Sequence, residues 1–184
     1  MKLYMIMLGC RPKGRFTEQH DIFFGIANSL KDLIPQMKSF WPEANGQIHV
    51  DVWREVTMVD NYSIEIVSKS ENSQLANQLF FINLGGYKEG EFEEFHYKIL
   101  SVASTLGEAT KKSKETSFYK HCGFKGATSH IDDKFGVDVD DIYNVREILE
   151  LDLKEKFGLK ITKSISELVE DKLHIGYLKL DKIS

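Results

Sequence analysis

The chain is short of cysteine, proline and tryptophan, and it has no long apolar run. Its two cysteines, Cys10 and Cys122, stand in 184 residues. That is too few for the disulfide framework of a small secreted domain, so a reducing, cytoplasmic setting is expected. Three prolines leave most segments free of helix and strand breakers. No apolar stretch approaches the roughly 20 residues a membrane-spanning helix needs, so no membrane association is expected. Excess positive charge is also missing: 24 Lys and Arg against 28 Asp and Glu give a net charge of −4, without the basic footprint of a nucleic-acid binder. Met7-Leu8-Gly9-Cys10 has the outline of a lipoprotein cleavage site, but only the run Leu3–Leu8 precedes it, too short for a signal-peptide apolar region.

The sequence does have a pattern written twice. Residues 8–20 and 84–96 share the frame Leu-Gly, four residues, Gly, one residue, Phe, one residue, Glu, one residue, His. Residues 3–30 align without gaps onto 79–106 with ten identities: Leu3, Ile6, Leu8, Gly9, Gly14, Phe16, Glu18, His20, Ala27 and Leu30. Composition alone would give roughly two, so the repeat is read as a duplication. With 42% hydrophobic residues there is material for two small halves that support each other in one compact unit.

Leu3–Leu8 and Leu79–Leu84 are apolar runs stopped by glycine, the pattern of buried strands. The stretch after each His is ambiguous between helix and strand. Thr105 stands three residues before Glu108 and Ser29 three before Asp32, a capping-box spacing that starts helices near 105 and 29 and leaves 21–27 and 97–103 as strands. The helical faces are then Leu30, Leu33, Met37 and Trp41, and Leu106, Ala109 and Phe118, with Pro35 kinking or splitting the first helix. Ile48–Thr57 and Tyr62–Val67 flank an Asp60-Asn61 turn and read as a hairpin.

The expected fold is therefore α+β, a tandem duplication of a β-β-α-β-β unit of β-grasp-like order with pseudo-twofold symmetry. A ferredoxin-like duplication is the alternative if 21–27 is helical. Residues 1–72 form repeat one and 73–184 repeat two. The second carries an inserted segment 120–141, rejoins the pattern where Val145-Arg146-Glu147-Ile148 echoes Trp53-Arg54-Glu55-Val56, has Phe157–Thr162 as its last strand, and ends in an extension with a strand at His174–Leu180.

The duplicated frame resembles a small bacterial family known only as a domain of unknown function, number 1543, whose members look like one or two copies of such a unit. Ile48–Val56 and Gly126-Ala127-Thr128-Ser129-His130-Ile131-Asp132-Asp133 are similar to stretches of its longer members. The resemblance implies the duplicated architecture and no activity, cofactor or catalytic residue.

The candidate ligand-binding residues are Arg11, Lys13, Arg15, Glu18, His20, Glu94 and His96. Two residues apart on an extended chain, Glu18 and His20 share a face, as do Glu94 and His96. Such a pair can pin a loop, bind a ligand, hold a metal or act as base and orienter. Recurrence in both copies favours pinning, because duplicated active sites often lose one copy. Arg11, Lys13 and Arg15 beside Gly9 and Gly14 could hold a small anion, and the second copy lacks them. His49-Val50-Asp51 and His130-Ile131-Asp132 are two further His-x-Asp triplets. His121, Cys122, Asp132, Asp133, Asp138, Asp140 and Asp141 read as a solvated acidic loop, since their spacing matches no EF-hand or zinc knuckle. No metal set is assigned, no cofactor is indicated and catalytic residues are unknown. Trp41, Trp53 and Cys10 read as packing. The function expected is a binding or scaffold module with a protein partner or a second copy of itself. The competing reading is a small enzyme or an anion- or metabolite-binding protein built on Gly9–His20.

Overall fold

The apolar runs form the central strands of two antiparallel sheets. The computed structural model describes residues 1–71, 76–87, 90–115, 137–167 and 169–184, and the fold is mixed α+β. It divides into two units: Met1–Ser73 with Leu149–Ser184, and Gln74–Ile148. The second is thus inserted in the first.

In the first unit β1 (Lys2–Cys10) lies between β2 (Gln19–Ala27) and β3 (His49–Glu55), and β10 (His174–Lys179) borders β3, in the order β10-β3-β1-β2. Every pair is antiparallel. The side chains of β1 alternate. Tyr4, Ile6, Leu8 and Cys10 enter a core with Phe23, Leu30, Leu33, Met37, Ile48 and Val50, while Gly9 falls on the other face. Leu33 and Met37 are fully buried, each contributing about 1.5–3 kcal/mol by leaving water.

The helix that supplies these side chains is split where Pro35 required it. A 3-10 turn at Lys31–Leu33 precedes α1 (Ile34–Phe40), and Pro35 sits in the first turn, where its missing N–H is tolerated. Ser29 and Asp32 exchange backbone-to-side-chain hydrogen bonds of 3.1 and 3.4 Å, the reciprocal contacts of a capping box.

The hairpin expected from Ile48 to Val67 forms differently. β3 stays in the first sheet, and β4 (Met58–Val59) turns through Asp60 and Asn61, both at positive φ, into β5 (Tyr62–Ser68). Two such residues make the two-residue turn that matches strand twist. β5 then pairs with β9 (Phe157–Lys163) in a separate sheet, β4-β5-β9. The strand assigned to the end of repeat two therefore completes the first unit, after the short helix α4 (Leu151–Lys156).

The second unit has the sheet order β7-β6-β8, with β6 (Gln78–Tyr87) between β7 (Glu94–Ala103) and β8 (Val137–Asn144). Its core gathers Phe80, Ile82, Leu84, Ala103 and Ala109. Helix α2 (Leu106–Ser113) starts at a capping box: Thr105 Oγ1 accepts from Glu108 N at 3.2 Å, and Glu108 accepts from Ser104 N at 2.8 Å. Leu106, expected on the buried face, is half exposed, and Phe118 lies outside the described residues.

Both sheets carry a bulge at the same step. Met7 pairs with Val52 and Leu8 with Val50, which leaves Asp51 as the extra residue. Asn83 pairs with Asp141 and Leu84 with Val139, which leaves Asp140 as the extra residue. Ile6 faces Trp53, and Ile82 faces Ile142. By register, Ile142 holds in the second sheet the place that Trp53 holds in the first, whereas the sequence echo set Val145 against Trp53. The echo Val145–Ile148 is instead a short helix, α3, and residues 137–141 of the supposed insertion are strand.

Candidate functional site

The register of β2, β1 and β3 brings one glycine between two histidines. Gly9 stands opposite His20 on β2 and opposite His49 on β3. All three lie on the sheet face away from α1, because their strand neighbours Leu8, Cys10, Ile48 and Val50 fill the core. Glu18 is two residues before His20 and shares its face. Asp51 is the bulge residue, and bulges re-aim side chains beside functional sites.

The four side chains close a ring over Gly9. His49 Nε2 lies 3.0 Å from Glu18 Oε1 and 3.3 Å from Asp51 Oδ1. His20 Nε2 lies 3.3 Å from Asp51 Oδ2 and 3.8 Å from Glu18 Oε2. Each carboxylate thus offers one oxygen to each imidazole. His49 is 7% exposed, whereas the side chains of Glu18 and His20 are 45% and 41% exposed. The ring has a buried floor and an open rim.

The glycine is required by this packing. A Cβ at position 9 would collide with His49 Nε2 and Cε1 and with Asp51 Oδ2. Those same two polar atoms, His49 Nε2 and Asp51 Oδ2, are buried and lack a hydrogen-bond partner. Proximity without hydrogen-bond alignment leaves their bonding capacity unused, and buried polar groups are seldom left so. As the side chains stand, among the described residues no group of three or more His, Cys, Asp and Glu is set to hold a metal ion.

β10 walls one side. Its register with β3 shifts between Ile175 and Leu178, and Gly176 there has φ of +138°. Tyr177 lies over His49 with ring centroids 4.3 Å apart, and His174 stacks flat on Trp53 at 3.9 Å. Below the floor, Cys10 is buried, and that burial, with the Glu18 charge as a smaller cause, pushes its thiol pKa up. A raised pKa disfavours the thiolate, the reactive form of the side chain.

Of the seven residues expected to bind a ligand, only Glu18 and His20 enter this ring. Arg11, Lys13 and Arg15 are exposed at the β1–β2 hairpin tip. Glu94 accepts a 2.9 Å hydrogen bond from Tyr87 Oη, and His96 stands opposite Gly85. The nearest contacts of Glu18 and His20 are across the sheet to β3 rather than to each other. Phe16 and its counterpart Phe92 are fully exposed, so this shared Phe is not packing. His121, Cys122, His130, Asp132 and Asp133 lie outside the described residues. The two ring members absent from the candidate set, His49 and Asp51, carried a sequence signal: a His-x-Asp triplet with the same-face spacing as Glu18-x-His20.

The comparisons bear on the family and the fold. Residues 15–66 match the family model described as Domain of Unknown Function (DUF1543). The matched segment contains Glu18, His20, His49 and Asp51, all four ring members. No curated protein matches the chain significantly. Among solved structures, the chain is similar to a protein Il1583 from Idiomarina loihiensis, with TM-score 0.63 and 17% identity over 97% of both chains. At that identity the likeness shows the fold alone. No helix among the described residues is long and apolar enough to cross a membrane.

Proposed function

We propose that the protein is a cytoplasmic binding module whose ligand is held by Glu18, His20, His49 and Asp51 above Gly9. The observation that carries this reading is the pair of buried atoms without a hydrogen-bond partner, His49 Nε2 and Asp51 Oδ2, which are packed over Gly9 where a Cβ would collide with them. A purely structural cluster would use those atoms in hydrogen bonds, because leaving each unmade costs about 1–3 kcal/mol. The half-exposed Glu18 and His20 give a ligand access from the rim. Arg11, Lys13 and Arg15, on the loop that leads into Glu18, supply cations for any anionic part of the ligand.

In the same reading the chain is a tandem duplication. The recurring bulge and the Gly9/His20 and Gly85/His96 pairings support it. The strand–strand–helix–strand order in each half keeps the β-grasp-like comparison, with β5 and β9 added outside it.

The test is a thermal-shift screen of divalent metals and phosphorylated metabolites on the wild-type chain and on His20→Ala. A ligand that raises Tm in the wild type and not in the variant supports the site. A strongly destabilised variant with no stabilising ligand in either protein would point to a scaffold.

A further inference from the structure

The two β-hairpin tips share a shape and differ in charge. In the first, Arg15 N donates to Pro12 O at 3.1 Å and Gly14 has φ of +83°, a turn that needs glycine at its third position. Phe16 follows the glycine by two residues. In the second, between β6 and β7, Gly90 has φ of +81° and Phe92 follows it by two. Phe16 is 98% exposed and Phe92 108%. Arg11, Lys13 and Arg15 stand exposed around Phe16, and Glu91, Glu93 and Glu94 stand exposed around Phe92. The residue directly before the aromatic ring is Arg15 in one tip and Glu91 in the other.

We infer that the protein associates with a second copy of itself through these tips. The basic tip of one copy meets the acidic tip of the other, with Phe16 against Phe92. A single exposed apolar side chain is ordinary. Here the same ring is held fully in water twice, on the same glycine turn, among charges of opposite sign. Two basic tips repel each other, as do two acidic ones, so only the unlike pair is attractive. An acidic peptide or an anionic membrane would take the basic tip alone and leave Phe92 and its carboxylates without a role. A second copy uses both.

The contact is small. Each Phe brings about 150–250 Å², and hairpin tips fall short of the roughly 1,200 Å² at which stable interfaces begin. The association is therefore weak and reversible. Because the contact joins unlike surfaces, it closes a pair if used twice and builds a chain if used once per copy.

The test is analytical ultracentrifugation of the full chain over a concentration series reaching the millimolar range, at low and high salt. The wild type is expected to associate reversibly, and less so at high salt, because exposed charge pairs are screened. Phe16→Ser and Phe92→Ser are each expected to weaken association by about tenfold or more. R15E and E91R weaken it as well. Mixing Phe16→Ser with Phe92→Ser restores a one-to-one pair, because one native contact remains between the two variants. All these positions are exposed, and unchanged thermal unfolding checks that the variants fold. A wild type that stays monomeric, association indifferent to both Phe substitutions, or no recovery on mixing overturns the inference. Phe16-dependent binding to phosphatidylserine vesicles by a monomeric chain overturns it in favour of a membrane partner. No variant alters a member of the ring over Gly9, so failure here leaves the proposed binding site standing.

Discussion

Gly9 decides whether the ring can exist. Its backbone needs no positive φ, so the constraint is space: a methyl group there meets His49 and Asp51. Gly9→Ala is expected to cost about 1–3 kcal/mol by overpacking, seen as a lower urea midpoint, and to displace both His49 and Asp51, so that ligand-dependent stabilisation disappears. One residue on, Cys10 presents the opposite case of a nucleophile kept silent. Buried and with its pKa pushed up, it should resist iodoacetamide in the native protein and react once the chain is unfolded. Rapid native alkylation at Cys10, located by mass spectrometry, would contradict the placement. At this scale the sequence was partly legible. Glu18 and His20 could be picked out because they recur at same-face spacing. His49 and Asp51 could be seen as a triplet but not joined to them, because cross-strand neighbours are set by register, and a bulge that adds one residue shifts which side chains meet.

The elements show why some of the fold could be read and some could not. Local rules held where the cause was local. The capping box at Thr105 and Glu108 is present as spaced, and Pro35 splits its helix. Glu108 has its pKa lowered, first by the hydrogen bond from Ser104 N and then by the Ser104 hydroxyl. A carboxyl whose folded pKa is depressed stabilises above its unfolded pKa, and that contribution is lost as pH falls through the folded value. The stability difference between wild type and Glu108→Ala should therefore be present at neutral pH and shrink as the solution is acidified below the ordinary carboxylate range. A difference that stays constant to low pH would refute the capping role. Non-local elements were less legible. The strand at 157–163 has no sequence mark naming β5 as its partner. Nor could the segment before β10 be matched to its target: Asp171 accepts from the backbone N–H groups of Thr57 and Met58 at 2.8 and 3.0 Å and from the Thr57 hydroxyl. It also lies near Arg54, whose pKa is lowered by burial against the opposing charges of Asp171 and Glu170. Asp171→Ala removes these bonds and is expected to cost about 1–3 kcal/mol, measured by chemical denaturation.

The whole molecule is a unit interrupted by another. The first unit needs both chain ends, because β5 has β9 as its partner from residues 157–163, and β3 has β10 from 174–179. Removing residues 149–184 exposes the edges of β3 and β5 and strips the Tyr177 wall from His49. Residues 1–73 of such a truncation are expected to lose amide-exchange protection, whereas independent folding of 1–73 with native protection would contradict this dependence. The recurrence of the Leu-Gly to His frame was legible because ten identities align without a gap. The division of the C-terminal third was not, since it depends on which strands pair at a distance.

These scales meet at the ring over Gly9, built by β1, β2 and β3 and walled by β10. A crystal structure of the full chain grown with the ligand that raises its Tm most examines it most directly. The expected result is electron density for that ligand in contact with Glu18, His20, His49 and Asp51. The contradicting result is no ligand there, with the four side chains hydrogen-bonded to one another and His49 Nε2 paired.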